Sequence, residues 1–185
     1  MRESKKFGRV LVLLGKGFEE IEALAPVDLL RRAGLAVTLA SLESSCQVTG
    51  RSGITVVADE VLETVPAEAF GMLVIPGGPG VAGMRTDGRA AGLAGMFARA
   101  GKVVAAICAA PLVLKDAGLL DGARFTAHFS TRAELPGALW DEAVVEDGCL
   151  ITSRGAGTAI DFGLALVARL RGADAATEVA RAISW

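Results

Sequence analysis

Cys108 is the first residue in this sequence whose type and position could do chemistry. It lies between an apolar run at 102–107, which predicts a buried strand, and a run at 111–114, which predicts a helix. The N–H groups and dipole at the start of a helix favour a thiolate, and four alanines around the cysteine would permit the tight turn of a nucleophile elbow. The alternative is a packing role, because free cysteine is among the most buried residue types.

Glu22 is the second candidate, within the stretch GKGFEEIEALAPVD at 15–28. At helical spacing it shares a track with three uncharged residues, Pro26, Leu29 and Ala33. A carboxyl on such a track, in a helix that begins at the carboxyl end of a strand, would have a raised pKa and could exchange a proton. The alternative is a solvated carboxylate. Glu19 and Glu20 need no functional role, since acidic side chains stabilise the first turn of a helix.

The stretch LVIPGGPG at 73–80 predicts a strand followed by a glycine-rich loop. The N–H groups of Gly77 and Gly78 could face a developing oxyanion, although a loop of this kind is often only a turn. It is not a phosphate-binding loop, because the Lys-Ser/Thr ending of that motif is absent.

His128 is the only histidine, and it follows a predicted strand in RFTAHFS. A single histidine excludes a multi-histidine metal site but leaves open either a Cys/His pair or a structural role. Cys46 and Cys149 lie in predicted strand segments, where packing is the better interpretation. The three cysteines show no metal-ligand spacing, so we expect no metal or other cofactor, and free thiols in a cytoplasmic protein.

The elements that would position these residues alternate between strands and helices. Short β-branched runs predict strands at 9–14, 36–41, 72–76 and 102–107, and helical spacing predicts helices at 19–34, 89–101 and 158–172. Gly34 and Gly101 are typical helix-terminal glycines. Strand–helix alternation favours an α/β fold with a parallel sheet. Segment 45–59 predicts a hairpin or edge excursion, and Asp147-Gly148 predicts a second hairpin at 143–153.

Composition predicts a single domain over residues 1–185. The chain has a net charge of −2, and 52% of its residues are hydrophobic, which suffices for one sizeable core. The balance of 19 basic and 21 acidic side chains argues against nucleic-acid or membrane-surface partners. The apolar run after the basic N-terminal segment is too short for a signal peptide.

In combination, these stretches resemble the ThiJ/PfpI superfamily, in the branch of the Parkinson-disease-associated protein deglycase and its bacterial relatives. The resemblance runs from about Arg9 to about Leu170 and rests on VLVLLGKGFEEIEALAPVDLLRRAG, LVIPGGPG, AAICAAPLVL, FTAHFS and ITSRGAGTAIDFGLAL. It implies a flavodoxin-like sandwich, with a mostly parallel central sheet and helices on both faces.

The resemblance also implies roles for individual residues. Cys108 matches a strained elbow cysteine that is readily oxidised to sulfinic acid, and Glu22 matches a protonated glutamate that hydrogen-bonds the sulfur and lowers the thiol pKa. Gly77, Gly78 and Ala109 match oxyanion-type N–H donors. His128 matches a nearby histidine that is imperfectly oriented for a Cys/His dyad, which leaves Glu22 as the better candidate for proton transfer.

By this resemblance the chain is a cofactor-independent glyoxalase or deglycase, acting on a small-molecule aldehyde of the methylglyoxal type or on a glycated substrate. It would be a homodimer, with the first helix and segment 45–59 in the contact. The alternatives are a redox-sensing, chaperone-like stress protein and, less well supported, a cysteine peptidase. Two departures bear on the pocket and the dimer: Arg51 is shifted by one position, and Ala156 replaces a proline of the relatives.

Overall fold

A computed structural model describes residues 8–185 of the chain. Its strands are β1 Arg9–Leu14, β2 Ala36–Ser41, β3 Gln47–Thr49, β4 Thr55–Val57, β5 Glu60–Val61, β6 Met72–Ile75, β7 Val103–Ile107, β8 Val144–Asp147 and β9 Leu150–Ser153. Seven of these form a central sheet in the order β5-β2-β1-β6-β7-β9-β8, in which only β8 and β9 pair antiparallel. The predicted α/β, flavodoxin-like fold with a mostly parallel sheet is confirmed.

Helices cover both faces of this sheet. They are α1 Glu20–Arg32, α2 Val81–Asp87, α3 Arg89–Arg99, α4 Pro111–Asp116, α5 Ala159–Arg171 and α6 Ala173–Ala182. Alternate side chains of β1 enter two apolar clusters: Leu11 and Leu13 pack with residues of α2, α3 and α4, whereas Val10 and Val12 pack with residues of α1, α5 and α6. Burial on both faces explains why these strands are continuous apolar runs in the sequence.

The predicted elements are present, with ends displaced by up to two residues. Gly34 and Gly101 follow α1 and α3 with φ of 73° and 67°, as expected for helix-terminal glycines. Two helices were not predicted. In α6 only Val179 is buried and the other apolar residues are alanines, whereas α2 is seven residues long and contains Gly83, so neither shows a run of large apolar side chains.

Both predicted hairpins form. β3 and β4 make a separate antiparallel pair, and β8 and β9 pair at the edge of the central sheet. The second turn is displaced by one residue, because Asp147 still pairs with Leu150 and the turn consists of Gly148 and Cys149.

Three residues do not have the strand surroundings predicted for them. Cys149 lies in the β8–β9 turn, and Cys46 lies in a bend before β3. His128 follows an irregular segment rather than a strand, because the N–H of Thr126 donates to the side chain of Thr152 and not to a neighbouring strand's backbone.

Residues 1–7, which hold most of the basic N-terminal segment, lie outside the described residues. Within residues 8–185, no helix has the length and apolar character needed to cross a membrane.

The sheet topology places the predicted site at one edge. β2 lies on one side of β1, and β6 and β7 follow on the other side, so the chain changes direction across the sheet between β1 and β6. In open α/β sheets, ligands bind beyond the carboxyl ends of the strands near such a switch point. The start of α1, the glycine loop and Cys108 follow β1, β6 and β7 respectively, and therefore meet at this edge.

Candidate active site

Cys108 has an unusual backbone conformation directly after β7. Its φ is 66°, in the left-handed region that residues with a side chain rarely occupy. Its N–H donates to the carbonyl of Ser153 at 2.9 Å, and its carbonyl accepts from the N–H of His128 at 2.8 Å. Two neighbouring segments thus hold the turn, and a strained conformation persists only where the surroundings over-determine it.

Glu22 reaches this cysteine from the first turn of α1. Its side chain is 1% exposed and hydrogen-bonds the Cys108 thiol, and its Oε2 accepts from the N–H of Gly77 at 2.9 Å. Glu19 caps the helix by accepting the N–H of Glu22 at 2.8 Å. Burial is the main reason that the pKa of Glu22 is raised to about 7; the hydrogen bonds from Cys108 and Gly77 oppose the rise.

The thiol and this carboxyl compete for one proton. Burial, followed by the negative charge and the hydrogen bond of Glu22, raises the pKa of the Cys108 thiol to about 12, while hydrogen bonds from the N–H groups of Gly78 and Ala109 act in the opposite direction. The resemblance implies a lowered thiol pKa, but an ionised Glu22 has the opposite effect, because two adjacent buried acids resist being charged together. The thiolate is favoured only when its proton moves onto Glu22.

The loop after β6 fits the site because two of its residues lack side chains. A Cβ on Gly77 would lie 2.5 Å from Oε2 of Glu22 and 2.6 Å from Cβ of Cys108. Gly78 has a φ of 99°, and a Cβ there would lie 2.6 Å from the backbone nitrogen of Glu19. Of the predicted oxyanion donors, Gly78 and Ala109 direct their N–H groups to the sulfur of Cys108. The N–H of Gly77 instead donates to the carboxyl of Glu22.

A cavity of about 440 Å³ opens beside the sulfur. Its lining comprises Arg51, Gly78, Pro79, Val81, Ala82, Arg85, Cys108, Ala109, Leu112, His128, Ser130 and Glu134. Glu22 and Gly77 do not line the cavity, so Glu22 contacts the Cys108 sulfur from the side that faces away from the cavity.

His128 lines the cavity but does not pair with the thiol. Its Nδ1 lies 2.9 Å from Oγ of Ser130, and within residues 8–185 no hydrogen bond joins its ring to Cys108. Burial and then the positive charge of Arg51 lower the pKa of the imidazole. His128 is therefore neutral near neutral pH.

Sequence reasoning missed Arg85. From α2, its guanidinium binds both carboxylate oxygens of Asp116 at 2.7 and 2.9 Å and both of Glu134 at 2.9 and 3.0 Å. These contacts tie α2, α4 and the segment after His128 together around the cavity. Asp116 and Glu134 lie 31 and 49 residues away from Arg85 in the chain, so no short sequence pattern could predict these ion pairs.

Glu20 does more than complement a helix dipole. It is buried, and its Oε1 accepts the N–H of Ser52 at 2.8 Å, which holds the β3–β4 turn against α1. Arg51 therefore reaches the cavity from a turn that α1 itself fixes.

A larger cavity, of about 530 Å³, shares Pro79 with the thiol cavity. The N–H groups of the loops around it are already engaged, those of Lys16, Gly17 and Gly80 by Glu43, Thr49 and Gly17 respectively. Three charged side chains line it, those of Lys16, Glu43 and Asp87, whereas six polar or charged side chains line the thiol cavity. Among the described residues, no group of three or more His, Cys, Asp or Glu side chains is placed to hold a metal ion.

Comparisons with known proteins show which family this chain and its fold resemble. The family model described as "DJ-1/PfpI family" matches residues 8–169. The chain is 38% identical to protein dj-1beta of Drosophila melanogaster over 180 residues, covering 94% of this chain and 95% of that protein. It is 36% identical to the Parkinson disease protein 7 homolog of Danio rerio, covering 92% and 94%. The structure of oxidized Toxoplasma gondii DJ-1 matches with a TM-score of 0.90 and 32% identity, covering 96% and 98%.

Replacing Glu22 with glutamine should change how stability depends on pH. Since folding raises the pKa of Glu22 from 4.5 to about 7, the native state binds more protons than the unfolded state between these values. The resulting stabilisation is complete below the unfolded pKa and is lost as the pH rises through the folded pKa. Relative to the wild type, Glu22→Gln should therefore gain about 3 kcal/mol in free energy of unfolding from low to neutral pH, measured by urea denaturation. The exposed control Glu178→Gln should follow the wild type, and parallel curves for Glu22→Gln and the wild type would contradict the prediction.

Replacing Gly77 with alanine should disrupt the site from within. The added Cβ would collide with the Glu22 carboxyl and the Cys108 side chain, so we expect the free energy of unfolding to fall by about 2 kcal/mol or more. In the control Gly83→Ala the new Cβ meets no atom within 4 Å. That variant should be more stable by about 0.5–1 kcal/mol, as expected for an open helical position. Equal stability of the two variants would show that the loop has room for a side chain.

Proposed function

This chain belongs to the DJ-1/PfpI family, and from that premise we propose that it is a cofactor-independent glyoxalase or deglycase acting on methylglyoxal-type α-oxoaldehydes or their adducts. The observation that carries the proposal is the contact between the Cys108 thiol and a buried carboxyl, Glu22, with a pKa of about 7. A base with a pKa near the working pH can both accept and return a proton.

In the first step, Sγ of Cys108 attacks the aldehyde carbon C1. The S–C bond forms as the thiol proton passes to the Glu22 carboxylate, and the C=O electron pair moves onto the oxygen. The N–H groups of Gly78 and Ala109, which already point to the sulfur, are suited to stabilise this oxyanion. Return of the proton from Glu22 to the oxygen gives a hemithioacetal.

In the second step, the Glu22 carboxylate removes the hydrogen of C1 as a proton, and the electron pair moves through C2 onto the neighbouring carbonyl oxygen. The C2 oxygen then takes up a proton and the hydroxyl on C1 loses one. The C1=O bond forms as the electron pair of the C1–C2 double bond takes a proton at C2, which gives a thioester of a 2-hydroxy acid. Water then cleaves the S–C bond, releasing lactate from methylglyoxal and restoring the thiol. C1 loses the two electrons that C2 gains, so no external oxidant is needed.

The alternative functions fit this site less well. A redox sensor needs a resting thiolate, because peroxide reacts with that form. An ionised Glu22 keeps the pKa of the thiol high, whereas in catalysis the proton can leave as the S–C bond forms. A cysteine peptidase would need a Cys/His dyad, and among the described residues the ring of His128 does not bond the thiol.

The free thiols support a reducing compartment. The three cysteines are unpaired. This agrees with the proposed cytoplasmic location, since disulfides are rare there.

We further propose a homodimer with α1 and the β3–β4 hairpin in the contact. Three large apolar side chains of this region are exposed, Ile21, Ile54 and Val57, at 55%, 54% and 67%. An exposed apolar cluster is typical of an interface. In sedimentation velocity, Ile21→Asp should shift the protein toward monomer, whereas Trp185→Asp, a matched change at another exposed site, should not; an unaltered Ile21→Asp dimer would rule out this contact.

The activity test compares lactate formation from methylglyoxal in three variants. Cys108→Ser and Glu22→Gln should each lower kcat by about a hundredfold or more, because one removes the nucleophile and the other the proton carrier. Cys149→Ser, in the β8–β9 turn, should retain wild-type turnover. Undiminished lactate formation in Cys108→Ser or Glu22→Gln would contradict the proposed activity.

A further inference from the structure

The β9–α5 loop, residues 154–158, lies beside the pair formed by Cys108 and Glu22. Just before it, the carbonyl of Ser153 accepts the N–H of Cys108 at 2.9 Å. A Cβ on Gly155 would lie 4.0 Å from Oε1 of Glu22, which is the carboxyl oxygen that the N–H of Gly77 does not bond. This stretch of chain therefore anchors the strained turn at one end and lies next to the buried carboxyl with its glycine.

A cavity of about 380 Å³ adjoins this loop. All five loop residues line it, together with His128 and Phe129. Glu22 does not line it and is only 1% exposed. Since Gly155 lies near the carboxyl and also lines the cavity, the backbone of the loop separates the two.

The side chain of Thr158 closes the loop from within. Its Oγ1 accepts the N–H of Gly155 at 3.2 Å and lies 2.8 Å from the carbonyl oxygen of the same glycine. It also lies 2.7 Å from Oγ of Ser153, which in turn lies 2.8 Å from the carbonyl oxygen of Ala143. Thr158 and Ser153 are both buried, where an unpaired polar group is costly. The hydroxyl of Thr158 thus ties the loop to the end of β9 and to the residue before β8.

The charged groups around Glu22 do not depend on this tie. Besides burial, the pKa of Glu22 is influenced by the charges or hydrogen bonds of Glu19, Arg51, Gly77 and Cys108. The neutral ring of His128 lies on the far side of Gly155, with its Cδ2 3.3 Å from the Cβ position of that glycine. The loop and the first turn of α5 add Arg154, whose guanidinium contacts the carbonyls of Trp140 and Asp141, and Asp161. A change at Thr158 therefore alters the burial of Glu22 and removes none of these groups.

We propose that Thr158 is a positioning residue, whose hydroxyl holds the β9–α5 loop as a wall that keeps solvent away from the Glu22 carboxyl. Thr158 does not line the thiol cavity, so it acts through Glu22 and not on a substrate there. A carboxyl that gains contact with water is less costly to ionise, so displacement of the loop lowers the pKa of Glu22 toward its ordinary value. The consequence for turnover rests on the proposed function, whereas the consequence for the pKa of Glu22 does not.

The first test measures stability and needs no activity. Thr158→Val removes the hydroxyl and keeps the branched shape, and Thr158→Ser keeps the hydroxyl. Between pH 4.5 and 7, the wild type loses the stabilisation that the raised pKa of Glu22 supplies at low pH. In urea denaturation, Thr158→Val should lose less of its stability over this range, because its native and unfolded states differ less in the pKa of Glu22. Thr158→Ser should follow the wild type.

The matched control is Thr126→Val, which removes another buried hydroxyl, one that donates to the carbonyl of Glu142. It should lower the free energy of unfolding without changing its dependence on pH. A purely structural role of Thr158 would give the same result in Thr158→Val.

The second test measures lactate formation from methylglyoxal as a function of pH. In Thr158→Val, the pH at which kcat is half-maximal on the acid side should fall by about one unit with little change in KM, because this limb reports the ionisation of Glu22. Thr158→Ser and Thr126→Val should keep the limb of the wild type.

Two results would contradict the wall. They are a wild-type pH dependence of both unfolding and kcat in Thr158→Val, or equal shifts in Thr158→Val and Thr158→Ser. If Thr158→Val does not fold, Ser153→Ala removes one partner of the same hydroxyl, and it should shift both measurements in the same direction by a smaller amount; no shift would then overturn the proposal. A wild-type protein that forms no lactate would overturn the proposed function, while the pH dependence of unfolding would still decide the role of Thr158.

Discussion

The buried contact between the Glu22 carboxyl and the Cys108 sulfur is the constraint that the rest of this site serves. A carboxyl in this position is stable only if hydrogen bonds replace the water it has lost. The thiol and the N–H of Gly77 do so. Each of these groups is then fixed in turn: the cysteine by its strained turn and the glycine by a loop that admits no Cβ.

The same contact divides the chemistry between two sides of the sulfur. The carboxyl lies on the buried side, and the cavity with His128, Arg51 and the Arg85–Glu134 pair lies on the open side. In the proposed reaction, a substrate bonded to the sulfur would meet a proton carrier on one side and hydrogen-bond donors on the other. This separation would let one buried base act in several successive proton transfers without being solvated by the cavity.

Features with a local physical cause could be predicted from the sequence. Strands that are buried on both faces appear in the sequence as continuous apolar runs. The ends of α1 and α3 are marked by Gly34 and Gly101, whose positive φ favours glycine. The placement of Cys108 after a strand and of Glu22 on an uncharged track likewise depends on short-range spacing. These patterns were enough for the α/β fold class and for selecting Cys108 and Glu22, which the structure brings into contact, but not for the full lining of the cavity.

Features that depend on contacts distant in the chain could not be predicted in this way. Arg85 finds Asp116 and Glu134 only in the folded protein. The same holds for the partner of the Gly77 N–H and for the direction of the thiol pKa, which depends on whether a neighbouring acid is charged. The helix dipole that was expected to favour a thiolate at Cys108 is also modest, because α4 has only six residues. Since α4 begins at Pro111, the N–H that reaches the sulfur from this segment is that of Ala109, which precedes the helix.

The two reacting groups come from distant parts of the chain, one from the helix after β1 and the other from the turn after β7. They meet only when β6 has inserted between these strands and the loop after it has closed on the start of α1. A partly folded chain, with either half of the sheet formed alone, therefore has the thiol or its base but not both. Competence for the proposed reaction would thus be a property of the completed sheet, and the recovery of that activity after dilution from denaturant would report the last assembly event rather than the first collapse.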